Sequence, residues 1–407
     1  IAVMGGEAKK ALTRYRSDLR RGMRVVGVAD ASALDPGQRI IVAFVDPGID
    51  AHQPAAAELD LASQLTTPFE LGPAQTDTRG AAARAHAWRV AIEEILGPRT
   101  IRLNRPARFD QWLRYDPRIY AFGGVHDVGI EHLRIQSSWP GGYRHHRPFV
   151  DENGAVVRTA KEQDYLWNGI WISHATDGWV RDVTFKDLTQ GIIVSRSSDF
   201  TVADVEFRGL DGHAGITIAH SNDVLVRHAD FFARLVHPVT LTMMAAGNVI
   251  TGCTVHYEGR DNAAQTDAAI DFHGMFPYEN LFDNLAGFYV CPGGDLSVMP
   301  HAGVRNVFWN IEAPCAMSCY TGSTDDEFAR TYDVESTTTR TTVSMIEHFP
   351  QAFYIGIIRR CGRRLTVGGT AIDRHTPWMR VEGLNRSGIR IPSLYEAQRR
   401  QKPSGMK

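Results

Sequence analysis

The chain has 407 residues, 43% hydrophobic and 22% charged, which is ordinary globular composition with ample material for a large core. Its 44 Lys and Arg against 46 Asp and Glu leave a formal net charge of −2, without the basic footprint of a duplex-binding protein. No apolar run is long enough to span a bilayer, so neither nucleic acid nor membrane is expected as a partner.

Near the N-terminus, RVVGVAD (Arg24 to Asp30) and RIIVAFV (Arg39 to Val45) read as strands around the turn signal Asp35-Pro36-Gly37. Residues 49–87 are Ala-rich and polar, and are expected to form a long excursion or partly helical loop. Strand character returns at WRVAIEEI (Trp88 to Ile95) and TIRLNRP (Thr100 to Pro106). A repeat then begins at DVGIEHLRI (Asp127 to Ile135), is interrupted by an insertion over 138–165, and resumes. Its copies are WVRDVTF (Trp179 to Phe185), TVADVEF (Thr201 to Phe207), LVRHADF (Leu225 to Phe231) and ITGCTVHY (Ile250 to Tyr257). The anchors Val180, Val202, Val226 and Ile250 are 22, 24 and 24 residues apart. Between them a second alternating strand recurs: GIWIS from Gly169, GIIVS from Gly191, GITIA from Gly215, VTLTM from Val239 and AIDFH from Ala269. The stack continues through Glu279 to Val290 and Gly303 to Ile311. Ser393-Leu394-Tyr395-Glu396 is a capping box, so a short helix is expected there, covering the end of the stack.

Two short strands with their turns in 22 to 24 residues make one rung of a β-solenoid. The Leu-rich consensus and asparagine ladder of leucine-rich repeats are not seen. Neighbouring rungs pair in parallel at about 4.8 Å, so matching positions stack into columns. With no linker in sight, the expectation is one domain over 1–407, with regular rungs at about 122–313. The five cysteines, Cys253, Cys291, Cys315, Cys319 and Cys361, fit no zinc spacing and read as buried structural residues, with one disulfide if the protein is exported.

From about Trp88 to Ala313 these repeats resemble the pectin-lyase-like superfamily of right-handed parallel β-helix proteins. WVRDVTF, GHAGI (Gly212 to Ile216), RLVHPVT (Arg234 to Thr240), PYENLF (Pro277 to Phe282) and FWNI (Phe308 to Ile311) look like a bacterial pectate-lyase-like subgroup. The resemblance implies an all-β fold and carbohydrate chemistry: uronate lyases, glycoside hydrolases, epimerases or esterases. The pectate-lyase WiDH signature is absent, and DGHAG at Asp211 only echoes the polygalacturonase Gly-His-Gly, so pectin itself is not implied.

Aligning GITI, VTLT and AIDF places Thr189, His213, His237 and Asp267 in one column, a His–His–acid stack about 5 Å apart. Asp271 and His273 alternate onto one face and should line a groove beside it. Arg208 and Arg234, just ahead of the histidines, suit neutralisation of a uronate carboxylate. Tyr257 and Tyr278 could protonate a leaving glycosidic oxygen. In the insertion, Trp139, Tyr143, Arg144, His145, His146 and Arg147 suit sugar stacking and anion binding. Capping of turns is the plain alternative for the histidines, and core packing for Tyr278.

The leading expectation is a polysaccharide lyase with His237 as base, His213 or His273 in support, Arg234 neutralising the uronate and Tyr278 as acid. The second is a glycoside hydrolase pairing Asp267 with Asp271 or Glu279. The third is a non-catalytic glycan-binding or adhesin module. No cofactor is required. Asp261, Asp267, Asp271 and Glu279 offer oxygen ligands that would suit Ca²⁺, and a zinc site at His213, His237 and His273 is geometrically conceivable. The partner expected is a polysaccharide or oligosaccharide and the location secreted or periplasmic, with no signal peptide in this sequence. Monomer and homo-oligomer are equally open.

Overall fold

Repeated strands with matching apolar positions should stack in parallel, and the computed structural model shows where each copy falls. It describes residues 1–6, 10–45, 85–257, 269–274, 276–292, 301–317, 332–335, 340–343, 349, 351–366 and 379–401. Most of the 49–87 excursion, together with Asp261, Asp267 and Cys319, lies outside the described residues.

After β1 (Ala2–Met4), the first part of the chain is antiparallel. β2 (Ala11–Arg14), β3 (Val25–Gly27), β4 (Arg39–Val45), β5 (Ala85–Gly97), β6 (Thr100–Leu103) and β7 (Arg118–Ala121) form one sheet ordered β2-β7-β4-β5-β6-β3. Parallel stacking starts with β8 (Val125–His126) and β9 (Gly129–Gln136), both paired with β13. The insertion carries a hairpin of β10 (Phe149–Val150) and β11 (Val156–Arg158), then helix α1 (Ala160–Tyr165). Thr159 and Glu162 close a capping box at the start of that helix.

The chain then alternates between two parallel sheets. β12 (Asn168–Ser173), β14 (Gln190–Ser195), β16 (Gly212–Ala219), β18 (Leu235–Thr242), β21 (Ala269–Phe272) and β23 (Tyr289–Pro292) follow β1 in the first. The second takes β13 (Ala175–Lys186), β15 (Ser198–Arg208), β17 (Leu225–Phe231), β19 (Val249–Thr251) with β20 (Thr254–Val255), β22 (Leu281–Ala286) and β24 (Val307–Ala313). A hairpin of β25 (Tyr332–Glu335) and β26 (Arg340–Val343) stands outside both sheets. β27 (Ala352–Ile355), β28 (Ile358–Arg359) and β29 (Met379–Glu382) then extend the second sheet well past residue 313, where the readable repeats stopped. This is the right-handed parallel β-helix expected from the repeats.

The anchors pair as their spacing implied, Val180 with Val202, Val202 with Val226 and Val226 with Ile250. Columns of like side chains follow. The rings of Phe185, Phe207 and Phe231 stack at 5.0 and 4.9 Å, and those of Phe282, Phe308 and Tyr354 at 5.2 and 5.0 Å, all within 10° of parallel. Each such ring buried in the core contributes about 2–3 kcal/mol. The glycines that open the second strands exist for these rings. A Cβ at Gly191 would lie 2.2 Å from Phe207, and one at Gly215 2.4 Å from Phe231. In the second sheet a left-handed residue recurs two places after each anchor: Asp182, Asp204, His228, Asn284 and Asn310 all have φ between 51° and 53°. Asp, Asn and His tolerate this conformation best, and it brings apolar positions three and five residues after the anchor back into the core.

One expectation is corrected. An asparagine ladder is present, running Asn248–Asn280–Asn306. Asn280 Oδ1 accepts from Asn248 N (3.1 Å) and Nδ2 (2.9 Å), and Asn306 Oδ1 accepts from Asn280 N and Nδ2 (both 3.1 Å). All three are fully buried, and the ladder satisfies backbone groups at turns where no strand pairing reaches.

Helix α2 (Leu394–Arg400) is where the capping signal put it, with Ser393 Oγ accepting from Glu396 N at 3.1 Å. It does not cover the end of the stack. Ser393 Oγ and Leu394 N donate to Asp283 on β22 (2.5 and 2.8 Å), and Trp309 and Asn310 on β24 donate to Ile391 and Pro392 carbonyls. The helix is therefore held to the flank of the second sheet, two to three strands in from its β29 edge. Cys253 is buried with a free thiol, Cys361 is exposed, and Cys291 is disulfide-bonded.

Candidate functional site

β14 and β16 enter the first sheet through the same irregularity. His213 N and Ala214 N both donate to Thr189 O (2.9 and 3.0 Å), while Thr189 N and Gln190 N both donate to Trp167 O (3.0 and 3.3 Å). Two N–H groups on one carbonyl make a bulge, which re-aims the side chains around it. The register through this point runs Gln190–Ala214–His237. The expected column of Thr189, His213, His237 and Asp267 is therefore corrected by one place, because the step between β16 and β18 is 23 residues rather than 24. The bulge restores what the register removes. The His213 and His237 rings still meet, with centroids 5.5 Å apart, and both are buried.

The insertion folds onto this face through an apolar foot. Trp139, Tyr143 and Val236 form a buried cluster with Trp167 against it. Trp139 Nε1 donates to Asp211 O (2.7 Å), Tyr143 N donates to Asp211 Oδ2 (3.1 Å), and the Arg158 guanidinium lies 4.7 Å over the Trp139 ring. Trp139 and Tyr143 are thus anchors rather than an exposed sugar platform, since burying their rings is what docks the loop. Arg144 turns over Phe149, 5.7 Å away.

Docking the foot delivers His145 and His146. The His145 ring lies 5.4 Å from His213 and 5.1 Å from His237, and His146 lies 5.2 Å from His213. Helix α1 adds Asp164, buried, whose Oδ1 accepts from the Tyr143 hydroxyl (2.5 Å) and whose Oδ2 pairs with His146 Nδ1 (2.8 Å). His213 Nδ1 sits 3.3 Å from Gln190 Nε2 and 4.0 Å from Asp164 Oδ1. On the far side β21 contributes buried Asp271, 3.4 Å from His273 Nδ1, and His301 lies beyond with its ring 6.3 Å from His273. The sequence offered no pattern for Asp164, Gln190 or His301. They come from an insertion, a bulge and a turn, none of which repeats.

Six imidazoles and two carboxylates therefore gather on one face of the solenoid, among the described residues. Burial pushes His237 down to about 4 although Asp271 opposes it, and burial pushes His213 down to about 3. His145 is lowered too, by burial and then by His237. Burial works against ionising Asp271, but His237 and His273 outweigh it and hold the carboxyl well below its usual range. Asp164 is held low in the same way by His146 and His213. Neutral imidazoles between two anions can accept protons or bind a cation. Several of their atoms lack partners: His237 Nδ1, His145 Nε2, Asp271 Oδ1 and Gln190 Oε1 make no hydrogen bond.

The other expected residues fall elsewhere. Arg208 projects from the second sheet, paired with Glu206 at 2.7 Å and stacked over Phe232. Tyr278 is buried under the N-terminal sheet with its hydroxyl 3.0 Å from His86 Nε2, so it is corrected from acid to core residue. Glu279 is clamped by Arg21, Arg108 and Arg305. Arg234 lies over the Tyr257 ring at 5.1 Å, and that hydroxyl bonds both N–H and C=O of Leu235, which fixes the entry to β18.

No protein family matches the sequence, and no curated protein is significantly similar to it. Solved structures do resemble the fold. The tailspike protein gp49 of Pseudomonas phage LKA1 is 12% identical with a TM-score of 0.52, over 88% of this chain and 47% of that one. The tailspike gp61 of Pseudomonas phage phi297 is 13% identical with a TM-score of 0.43, over 76% and 48%. The Gp54 tailspike of Acinetobacter baumannii bacteriophage AP22, solved in complex with a capsular saccharide of that bacterium, is 11% identical with a TM-score of 0.44, over 94% and 57%. The chain spans about half the length of these proteins. At such identity the likeness shows the parallel β-helix and leaves the chemistry to the site itself.

Proposed function

We propose that this chain cleaves an acidic polysaccharide by β-elimination at the histidine face, with His237 as the base. The carrying observation is the buried Asp271 carboxylate set beside His237 and His273. A fixed anion stabilises the imidazolium formed when a nearby imidazole takes a proton. In the reaction His237 removes the proton alpha to the uronate carboxyl. The electron pair of that C–H bond becomes the new ring double bond, the glycosidic C–O bond breaks, and the departing oxygen takes a proton from water or a neighbouring imidazolium.

Hydrolysis by a carboxylate pair fits less well. It needs one carboxyl kept protonated as acid, whereas Asp164 and Asp271 are both held low by histidines.

The test is turnover of a panel of uronate and neutral polysaccharides by the full chain. Ultraviolet-absorbing unsaturated ends are expected, and His237→Ala should slow their appearance about 10²- to 10⁴-fold. Reducing ends formed without that absorbance, or unchanged rates in the variant, would overturn the reading.

A further inference from the structure

His145, His146 and His213 present ring nitrogens that all lie within 4.8 Å of one another. Three features single these nitrogens out. Asp164 Oδ2 occupies His146 Nδ1 at 2.8 Å, which leaves Nε2 of that ring to face the cluster. Turning the Gln190 amide over places its otherwise unpartnered Oε1 against His213 Nδ1, with Asp164 Oδ1 4.0 Å away, so that Nδ1 donates and Nε2 keeps its lone pair for a ligand. His145 Nε2 is buried and makes no hydrogen bond. A carboxylate that orients the far nitrogen of a histidine is the usual outer support of a metal-bound imidazole, and here Asp164 serves that position with Tyr143 bonded to its other oxygen. An independent sign comes from His237. It is 96% buried, its ring is 5.1 Å from His145 and 5.5 Å from His213, and its Nδ1 also lacks a partner. Orphaned buried nitrogens are costly unless something binds them.

We propose that Nε2 of His145, His146 and His213 bind a divalent transition-metal ion of the zinc type, with His237 and Asp271 as its next neighbours. Three neutral nitrogens with no thiolate select Zn²⁺ and its neighbours over Ca²⁺ or Mg²⁺, which prefer oxygen. Zinc–nitrogen bonds of about 2.0–2.1 Å in a tetrahedral site require the nitrogens to close by up to about 1.5 Å, and His146, half-exposed on its loop, has the freedom to do so. Three protein ligands leave a coordination position for an outside oxygen. On the lyase reading, and resting on it, that oxygen belongs to the uronate carboxyl. The ion then supplies the positive charge that Arg208, on the other sheet, cannot bring.

The experiment is equilibrium dialysis of the full chain with Zn²⁺, together with thermal melts. The wild type should bind about one ion and melt higher with it. His146→Gln, at a half-exposed site where folding is safe, should weaken binding at least a hundredfold, and Asp164→Asn about 10- to 100-fold. His256→Gln, on the second sheet, should bind like the wild type. Binding far below one ion per chain, or a His146→Gln protein with wild-type affinity, overturns the site. Tight zinc binding with no polysaccharide cleaved sinks the lyase reading and leaves the metal site standing.

Discussion

Among the described residues, no carboxylate accompanies the buried imidazole of His86, unlike those of the candidate site. It is 5% exposed, wedged edge-on between Phe44 and Phe109, with Tyr278 as its hydrogen-bond partner. The charged groups around it among the described residues, Arg89, Arg108 and His220, are basic. Burial first, then Arg89 and His220, push it down to about 3. In the unfolded chain it titrates near 6.5, so below that pH the unfolded state takes up a proton that the folded state refuses. Stability is therefore lost as pH falls from about 6.5 towards 3. From pH 7 to pH 5 this one residue should remove about 2 kcal/mol. Urea unfolding of His86→Gln at the two pH values should show a loss smaller by that amount, and equal losses in both proteins would refute it. His213 and His237 were legible because they recur with the repeat. His86 and Asp164 were not, because they lie where nothing repeats, and a single His or Asp reveals its neighbours only in three dimensions.

At the level of elements, the solenoid strands were readable because each rung repeats the demands of the last: an apolar anchor, a left-handed Asp or Asn, an inward Phe. The bulge before His213 was not readable, since it shifts register by one residue without changing composition. Nor was the ladder of Asn248, Asn280 and Asn306, although each of these precedes an apolar residue opening a strand, a recurrence that the sequence does carry. The insertion is the element that most affects function. Its foot is a cluster separate from the main core, with Trp139 at its centre. Trp139→Ala should remove about 3–5 kcal/mol from the foot alone. That is enough to undock the loop, with its His145 and His146, while the β-helix stays folded. Limited proteolysis should then cut within residues 140–165 at least a hundredfold faster than in the wild type, with the main thermal transition little moved. Loss of the whole fold before any such cut would contradict this separation.

For the molecule as a whole, the question is what fastens the antiparallel N-terminal sheet to the solenoid. Their shared core joins Phe44, Trp88 and Phe109 to Met244, Phe276 and Tyr278. Along its margin runs a column of residues, one per rung, all left-handed: Asp177, Asp199, Asp223, Gly247 and Glu279. Arginines from the N-terminal part meet them in order. Arg39 pairs with Asp177, Arg105 with Asp199 and Asp223, and Arg108 with Asp223 (2.5 Å) and Glu279 (3.2 Å). The missing acid at 247 has a reason. A Cβ there would lie 2.0 Å from the Arg108 guanidinium, so only glycine leaves it room. Asp223 is the keystone, because two guanidinium groups depend on it and its side chain is 13% exposed. Asp223→Asn keeps its size and tolerates its φ of 59° but removes the charge. Leaving two partly buried arginines undercompensated should cost about 3–5 kcal/mol. The loss falls on the joint rather than on the rungs, so amides of β4 and β5 should exchange with deuterium well before those of β15 and β17. In the wild type the two groups should open together. If Asp223→Asn leaves the exchange of β4 and β5 unchanged, the apolar contact alone holds the sheet.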